Sequence, residues 1–220
     1  MPCKIVNELK NIHKGEDGYV VGSGPSLSFI NPVFFSNKVT ICINHTIDYI
    51  DCAKSLYLVA KEPNKEMQDA AKKRNAKIVM CGHHSGVPRN PLNKVYYPNF
   101  TYMFEAKASV IKHKGQGKAL ERSSSTIITG LHLAAFMGCL NIIVVAHDCG
   151  TLNGDIHVRD YNIKHAVMKG HAYKKWMRHN KIEKKTLAAK KLIEQFYNAR
   201  VYSLNPFINF GLEGNEYRRF

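Results

Sequence analysis

Short, almost uninterrupted apolar runs alternate along the chain with longer amphipathic segments. The apolar runs are rich in β-branched residues, which predicts strands at residues 18–22, 39–44, 55–60, 76–81, 140–146 and 200–203. The amphipathic segments predict helices at residues 63–74, 123–138 and 181–198. Strands that are apolar on both faces are typical of a parallel sheet covered by helices on each side. The pattern therefore predicts an α/β fold.

The predicted topology is a Rossmann-like, mostly parallel sheet with helices on both faces, in one domain spanning residues 1–220. Two segments interrupt the alternation. Residues 82–122 contain three prolines and the glycine-rich stretch Lys114–Lys118, and residues 150–180 are polar and contain four histidines. We expect a lid at about residues 150–180. Since ligands of such folds bind at the carboxyl ends of the strands, the residues that directly follow each strand are the first candidates for a site.

Composition narrows the class of protein further. Apolar residues make up 45% and charged residues 22% of the 220 residues, which is typical of a globular chain rather than a disordered one. No apolar stretch approaches the ~20 residues of a membrane span, and no apolar segment follows the first residues as it would in a secretory signal. The six cysteines form no Cys-x-x-Cys pair, so we expect reduced structural thiols, a cytoplasmic protein and no metal site.

The net charge is the unusual quantity, because 32 Lys and Arg against 17 Asp and Glu give +15. The basic residues are densest in residues 171–200, where Tyr173 and Trp176 lie among them. Two interpretations stay open. This segment is a solvated basic helix face, or it is a surface that binds nucleic acid, an anionic acceptor or the headgroups of a membrane. Peripheral association with a membrane surface is therefore an expectation alongside the cytoplasmic location.

The sequence Gly22-Ser23-Gly24-Pro25-Ser26 directly follows the first predicted strand. Its glycines permit a tight turn whose N–H groups face an anion, Pro25 presets φ, and Ser26 is placed to cap the next helix. No Lys-Ser/Thr pair follows, so the turn is not a Walker A loop, and the third glycine of the dinucleotide motif is absent. A strand-to-helix turn without a ligand stays open as the alternative.

The longer string Gly-Ser-Gly-Pro-Ser-Leu resembles the G-x-G-P-S-L motif of the bacterial family 42 sialyltransferases. It is also similar to the MptE-like group, which includes 6-hydroxymethylpterin pyrophosphokinases and the Maf flagellin-glycosylation proteins. Further segments are similar in the same order: Ile41–Asn44, Arg122–Thr126, residues 138–148, residues 153–157, and a His before a basic helix and a Val-Tyr-Ser strand. The resemblance covers roughly residues 17–205.

This resemblance implies a nucleotide pocket and a set of catalytic residues. The implied nucleotide-binding residues are Gly22, Ser23, Gly24, Pro25, Ser26, Asn44, Ser124, Ser125 and Thr126. The implied catalytic residues are Arg122 at the departing phosphate, Asp148 as a base or acceptor-orienting group, His179 as the general base with His171 as second candidate, and His157. Two tyrosines that contact the leaving phosphate in the sialyltransferases have no match in register, since Gly150 stands at the first position and the second falls near His157.

The resemblance implies a nucleotide-sugar-dependent glycosyltransferase, with a CMP-sugar as the favoured donor and a glycan or other hydroxyl compound as acceptor. That reaction requires no cofactor. An MptE-like pyrophosphokinase is the alternative; it would use Mg²⁺ held by clustered carboxylates, for which only Asp148, Asp155 and Asp160 are near one another in sequence. An alternative of another class is a non-catalytic nucleic-acid-binding protein that uses the basic segment. A homo-oligomer is compatible with all three.

Overall fold

The computed structural model describes residues 4–61, 63–82, 101–107, 119–121, 125–149, 155, 157, 158 and 181–204. In these residues nine strands form one sheet, and every pair of neighbouring strands is parallel. The strands are β1 (Lys4–Ile5), β2 (Asp17–Val21), β3 (Val39–Ile43), β4 (Ser55–Ala60), β5 (Lys77–Gly82), β6 (Thr101–Lys107), β7 (Ala119–Glu121), β8 (Asn141–Val145) and β9 (Arg200–Ser203). Their order is β1-β6-β5-β4-β3-β2-β8-β9, and β7 pairs with the end of β6. The predicted α/β class and parallel sheet are confirmed.

Three α-helices and four 3₁₀ segments are present in the described part of the chain. The helices are α1 (Lys65–Lys73), α2 (Thr126–Phe136) and α3 (Ile182–Phe196). The 3₁₀ segments are Val6–Leu9, Pro25–Phe29, Pro32–Phe35 and Asn44–Tyr49. Asn64 begins α1, because its side chain accepts a hydrogen bond from the Met67 N–H at 2.9 Å, as an N-cap residue does.

The sheet buries a hydrophobic core on each face, because consecutive strand residues point in opposite directions. One core contains Val20 and Val144 and is covered by α2 and α3. The other contains Val21 and Val145 and is covered by α1 and by the 3₁₀ segments between residues 25 and 49. Helical segments therefore lie on both faces, as the apolar runs predicted.

Helix α2 lies directly on the sheet and is buried from Ile127 to Phe136. A Cβ atom at Gly130 would lie 2.7 Å from Ile43 Cδ1 and 2.8 Å from Val20 Cγ1, so only glycine permits this close approach to β2 and β3. The helix ends before Gly138, whose φ of +86° is the left-handed conformation of a helix C-cap glycine.

The strand order reverses between β2 and β8. From β2 the chain moves outward through β3, β4, β5 and β6, and it then returns to place β8 on the other side of β2. In open parallel sheets the crevice at such a switch point, outside the carboxyl ends of the strands, is where ligands bind. The turns that follow β2 and β8 are therefore the first place to look for a site.

The prediction that residues 82–122 are irregular is wrong where β6 and β7 lie, and β1 was not predicted. These strands gain their hydrogen bonds from partners distant in sequence, β6 pairing with β1, β5 and β7. The lid predicted at about 150–180 lies outside the described residues, apart from Asp155, His157 and Val158.

No helix among the described residues is both long and apolar enough to cross a bilayer. The described thiols, Cys42, Cys52, Cys139 and Cys149, are free. Burial raises the pKa of Cys42 and of Cys139 to about 12, so both stay protonated at neutral pH. These two thiols behave as the small structural core residues that the sequence predicted.

Candidate functional site at the carboxyl ends of β2 and β8

The glycine turn, residues 22–26, leaves β2 and lies against the chain that leaves β8. The N–H of Gly22 donates to the Val145 carbonyl at 2.8 Å, and the N–H of Gly24 donates to the Ala146 carbonyl at 2.8 Å. A Cβ atom at Gly22 would lie 2.6 Å from the Ala146 oxygen. Glycine is needed here because the two backbones touch, whether or not a ligand binds.

Asp148 closes the glycine turn. Its Oδ2 accepts a hydrogen bond from the Ser26 N–H at 2.7 Å, and its Oδ1 accepts one from the Ser26 hydroxyl at 2.5 Å. Asp148 is 3% exposed, and its carboxyl group fills the space beside Gly24, where a Cβ atom would lie 2.6 Å from Cγ. Burial raises the pKa of Asp148, and the two hydrogen bonds from Ser26 oppose that rise. The carboxylate thus occupies the position in which a turn of this kind would hold an external anion.

The turn after β8 directs two consecutive side chains to opposite faces of the sheet. Ala146 and Cys149 both have a φ of +52°, so left-handed residues flank His147 and Asp148. Whereas Asp148 reaches the glycine turn, His147 Nε2 lies 2.9 Å from Thr186 Oγ1 on α3. The Thr186 hydroxyl donates to the Ile182 carbonyl, so the imidazole is the donor to Thr186. His147 therefore ties the β8 turn to α3.

His157 meets the glycine turn from the other side. Its Nδ1 lies 3.0 Å from Ser23 Oγ, and the N–H of the next residue, Val158, donates to the Ser23 carbonyl at 2.8 Å. His157 is half-buried, and burial lowers the pKa of its imidazole, against the opposing effect of hydrogen bonding to the Ser23 backbone. A neutral imidazole beside a serine hydroxyl therefore lies at the carboxyl edge of the sheet, where the strand order reverses.

Asn44 follows β3 at the same edge of the sheet and is half-buried. Its φ of +54° is a conformation that asparagine tolerates better than most residues, which gives this position a structural reason for asparagine. Nearby, the Thr46 hydroxyl lies 3.1 Å from the Val21 carbonyl and 3.0 Å from the Ile43 carbonyl. Thr46 thereby links the ends of β2 and β3.

The amino end of α2 points toward this edge. Gly130 lies over Val20 and Ile43, near the ends of their strands, whereas Gly138 lies against Lys14, before β2 begins. Thr126 is one helical turn before Gly130 and is therefore about 6 Å further toward the carboxyl edge. Ser125 and Thr126 are half-buried there, at the end of the helix that favours an anion.

The structure thus brings the glycine turn, Asn44, Asp148, His157 and the start of α2 to one edge of the sheet. Arg122, Ser124, His171 and His179 lie outside the described residues. Whether any of these residues binds a nucleotide or takes part in catalysis stays a prediction.

The prediction that Ser26 caps the next helix is wrong. The segment that follows is a 3₁₀ turn that begins at Pro25, with Gly24 as its cap and without a side-chain cap bond. Ser26 lies inside this turn, and its hydroxyl donates to Asp148 instead. The N–H groups that the sequence assigned to an anion are also engaged, because those of Gly22, Gly24 and Ser26 donate to two carbonyls and a carboxylate.

The residues described do not fit the carboxylate cluster that Mg²⁺ would need. Both oxygens of Asp148 face the donors of Ser26, and Asp155 is exposed. Asp160 lies outside the described residues. Within the described part of the chain, no group of three His, Cys, Asp or Glu residues is arranged to hold a metal ion.

Sequence reasoning missed two contacts that shape this site. Nothing in the sequence connects His147 with Thr186, 39 residues away, although His147 directly follows a predicted strand and Thr186 lies in a predicted helix. Ser26 and Asp148 were both singled out as ligand contacts, and nothing in the sequence indicated that they contact each other across 122 residues. Their position after neighbouring strands of a parallel sheet was the only available signal.

The basic segment is described only from Lys181 onward. Exposed basic side chains there are Lys181, Lys184, Lys185, Lys191 and Arg200. Lys190 is half-buried, and its ammonium group bonds Glu194 at 2.5 Å and the Val201 carbonyl at 2.8 Å. Glu194 also accepts from the Val201 N–H at 3.0 Å, so this ion pair covers the outer edge of β9. Lys190 therefore has a structural role, and the exposed charged residues of α3 are Lys184, Lys185 and Lys191 together with Glu183 and Glu194.

Comparison with known proteins adds no family to this picture. A scan against protein-family models found no match, and a search of the curated proteins found none either. The likeness to the sialyltransferase and MptE-like families accordingly rests on the motifs themselves.

Proposed function

We propose that this chain is a nucleotide-dependent transferase whose favoured reaction is glycosyl transfer from a nucleotide-sugar. The observation that carries the proposal is the contact of 3.0 Å between Ser23 Oγ and His157 Nδ1, beside the carboxyl ends of β2 and β8. A neutral, half-buried imidazole oriented by a neighbouring hydroxyl suits the removal of a proton from an acceptor hydroxyl near neutral pH. It also stands where parallel sheets of this topology bind ligands.

In this proposal His157 is the base and Ser23 positions it. If His157 Nδ1–H donates to Ser23 Oγ, Nε2 is the ring nitrogen that accepts the proton from the acceptor. Asp148 is then a positioning residue, because both its oxygens accept hydrogen bonds from Ser26 and it is almost fully buried. Asn44 and the start of α2 supply polar groups for the nucleotide.

The hydrogen bonds that the glycine turn already makes favour a donor with one phosphate over a triphosphate. Three of the turn's backbone N–H groups, at Gly22, Gly24 and Ser26, already have acceptors. A pyrophosphokinase has to hold a triphosphate chain, which requires many such donors. A CMP-sugar presents a single phosphate, which the amino end of α2 and a few hydroxyl groups can stabilise.

The first prediction is that cytidine nucleotides raise the melting temperature of the protein. Bound at 100 times its Kd, a nucleotide stabilises the folded state by about 2.7 kcal/mol. The measurement is a thermal-shift series with CMP, a CMP-sugar, UMP, AMP, GMP, and ATP with Mg²⁺. The transfer step is measured as CMP release from the CMP-sugar with water as the acceptor of the sugar, which His157→Ala should lower by about 10²-fold or more while the CMP-induced shift persists. Asn37→Ala, at an exposed position, is the control.

The outcomes separate the alternatives. A preference for ATP with Mg²⁺ would instead support pyrophosphoryl transfer. If no nucleotide shifts the melting temperature, both transferase interpretations fail together. Release of CMP at the wild-type rate by His157→Ala would remove His157 from the mechanism while leaving nucleotide binding intact.

A further inference from the structure

An exposed, uncharged stretch follows the glycine turn at residues 28–34, here called the apolar loop. Phe29 is 76% and Val33 68% exposed, the highest values for large hydrophobic residues in the described part of the chain. Phe34 is 39% exposed, and Ile30 is half-buried against the core beneath. Contiguous exposed apolar side chains of this size mark a surface that contacts a partner or a membrane.

The backbone presents these side chains in a fixed arrangement. The loop runs through the two 3₁₀ segments, each of which begins with a proline. The Asn31 side chain accepts a hydrogen bond from the Val33 N–H at 3.0 Å, and the Asn31 carbonyl accepts one from the Phe34 N–H at 2.9 Å. Phe35, fully buried, anchors the loop. The exposure of Phe29 and Val33 is therefore built into an ordered turn.

Charge indicates the chemistry of the partner. Lys38 is the only Lys, Arg, Asp or Glu between residues 18 and 47, and its ammonium group lies 4.3 Å from the centre of the Phe34 ring. The whole chain carries +15. Two copies with that charge repel each other, whereas an anionic bilayer surface attracts each of them. Uncharged apolar tips on a basic protein fit the interface of an anionic membrane.

We propose that the apolar loop inserts Phe29 and Val33 into the interface of a membrane that contains anionic lipid. The apolar loop lies on the opposite face of the sheet from α3, and the proposal stands whether or not the chain transfers a sugar. Phe29 is the third residue after Ser26, so at most about 11 Å of chain lies between the insertion point and the glycine turn. Insertion holds the glycine turn next to the lipid surface.

The second prediction concerns vesicle binding. The full chain should sediment with vesicles of phosphatidylcholine and phosphatidylglycerol and bind pure phosphatidylcholine more weakly. The double change Phe29→Ser, Val33→Ser should weaken binding to the mixed vesicles by about tenfold or more, because it removes two side chains that would be buried in lipid. The matched control is Ile12→Ser, Leu204→Ser, at positions 42% and 45% exposed elsewhere on the surface, which should bind as the wild type does.

The depth of residue 29 in the bilayer distinguishes insertion from adsorption to the membrane surface. In a Phe29→Trp variant, brominated lipids should quench more fluorescence than in the wild type, which contains only Trp176. Unchanged melting temperatures of the serine variants establish that they fold. Three results would overturn the proposal: no binding to mixed vesicles, equal binding by Phe29→Ser, Val33→Ser, or a wild-type dimer that this double change converts to a monomer without an effect on vesicles. The last would assign the loop to a second copy of the chain.

Discussion

The chain leaves its two central strands by turns that touch each other but are built from different residues. After β2, the turn contains two glycines because carbonyl and carboxyl groups of the neighbouring turn fill the space of their missing side chains. After β8, the turn places Ala146 and Cys149 in the left-handed region without a glycine. The glycine turn is thus defined by steric exclusion, whereas the β8 turn carries backbone strain and supplies the side chains.

This difference shows that glycines in such a turn have two explanations: they expose N–H groups to an anion, or they permit close contact with a neighbouring turn. A glycine-rich turn after a strand is typical of a phosphate site, in which the backbone N–H groups of the turn donate to the anion. Here Asp148 from the β8 turn accepts the Ser26 N–H, so the two turns satisfy each other within the protein. Glycines in the turn are consequently required for the contact with Asp148, and Ser23 contacts His157 on the other side of the turn.

The largest effect is expected from Gly24→Ala. The added Cβ would lie 2.6 Å from the Asp148 carboxyl and 2.7 Å from the Ala146 carbonyl oxygen, and the latter is backbone that cannot rotate away. Overpacking of this kind costs about 3 kcal/mol, measured as the free energy of unfolding in urea. Asn37→Ala, at an exposed site, should change it by less than about 0.5 kcal/mol. A loss below about 1 kcal/mol for Gly24→Ala would mean that the β8 turn moves freely and that steric exclusion does not define the glycine turn.

A smaller, pH-dependent effect is expected from Ser26→Ala. This change removes the hydroxyl that donates to Asp148 Oδ1, and a hydrogen bond to a charged group contributes about 2 kcal/mol. It also removes one of the two bonds that oppose the raised pKa of Asp148, so that pKa rises further in the folded variant. The extra penalty applies to the ionised carboxylate and disappears as the pH falls through the pKa of Asp148. The wild type and Ser26→Ala should therefore differ most at neutral pH and less in acid.

Urea unfolding across a pH series measures this difference. Ser36→Ala is the matched control, since the Ser36 hydroxyl donates at 2.8 Å to the neutral Val33 carbonyl and its loss should not depend on pH. A stability difference for Ser26→Ala that stays constant with pH would show that the bond to an ionised Asp148 does not hold the two turns together.

How far the sequence could predict the fold depends on whether an element has a local pattern or is stabilised by partners distant in sequence. Six strands and all three helices of the described residues were predicted to within a few residues, because a buried parallel strand is a continuous apolar run and each helix has a recognisable face or cap. β6 was missed because it lies among prolines and polar residues and is stabilised by pairing with β1 and β5. β1, two residues long, has no periodicity to detect.

For the site, the sequence predicted positions but not contacts. Gly22, Asn44 and Asp148 do follow strands at one edge of the sheet, because the apolar runs that precede them are local signals. That Asp148 faces Ser26 while His147 faces Thr186 depends on the left-handed residues of the β8 turn. A positive φ at an alanine is unusual, and no sequence pattern predicts it.

The smallest effect on the free energy of unfolding is expected from Ala146→Gly. This change tests the β8 turn as Gly24→Ala tests the glycine turn. An alanine at a φ of +52° costs about 1 kcal/mol that glycine does not pay. Against this gain stand the greater entropy of glycine in the unfolded chain, about 0.5–1 kcal/mol, and the loss of a methyl group that is 2% exposed, about 0.8 kcal/mol. These terms nearly cancel, so the free energy of unfolding should fall by less than about 1 kcal/mol, measured in urea beside Gly24→Ala. If Ala146→Gly destabilises the protein as much as Gly24→Ala, the β8 turn is held by side-chain packing, and the two turns do not differ in the way that their backbones indicate.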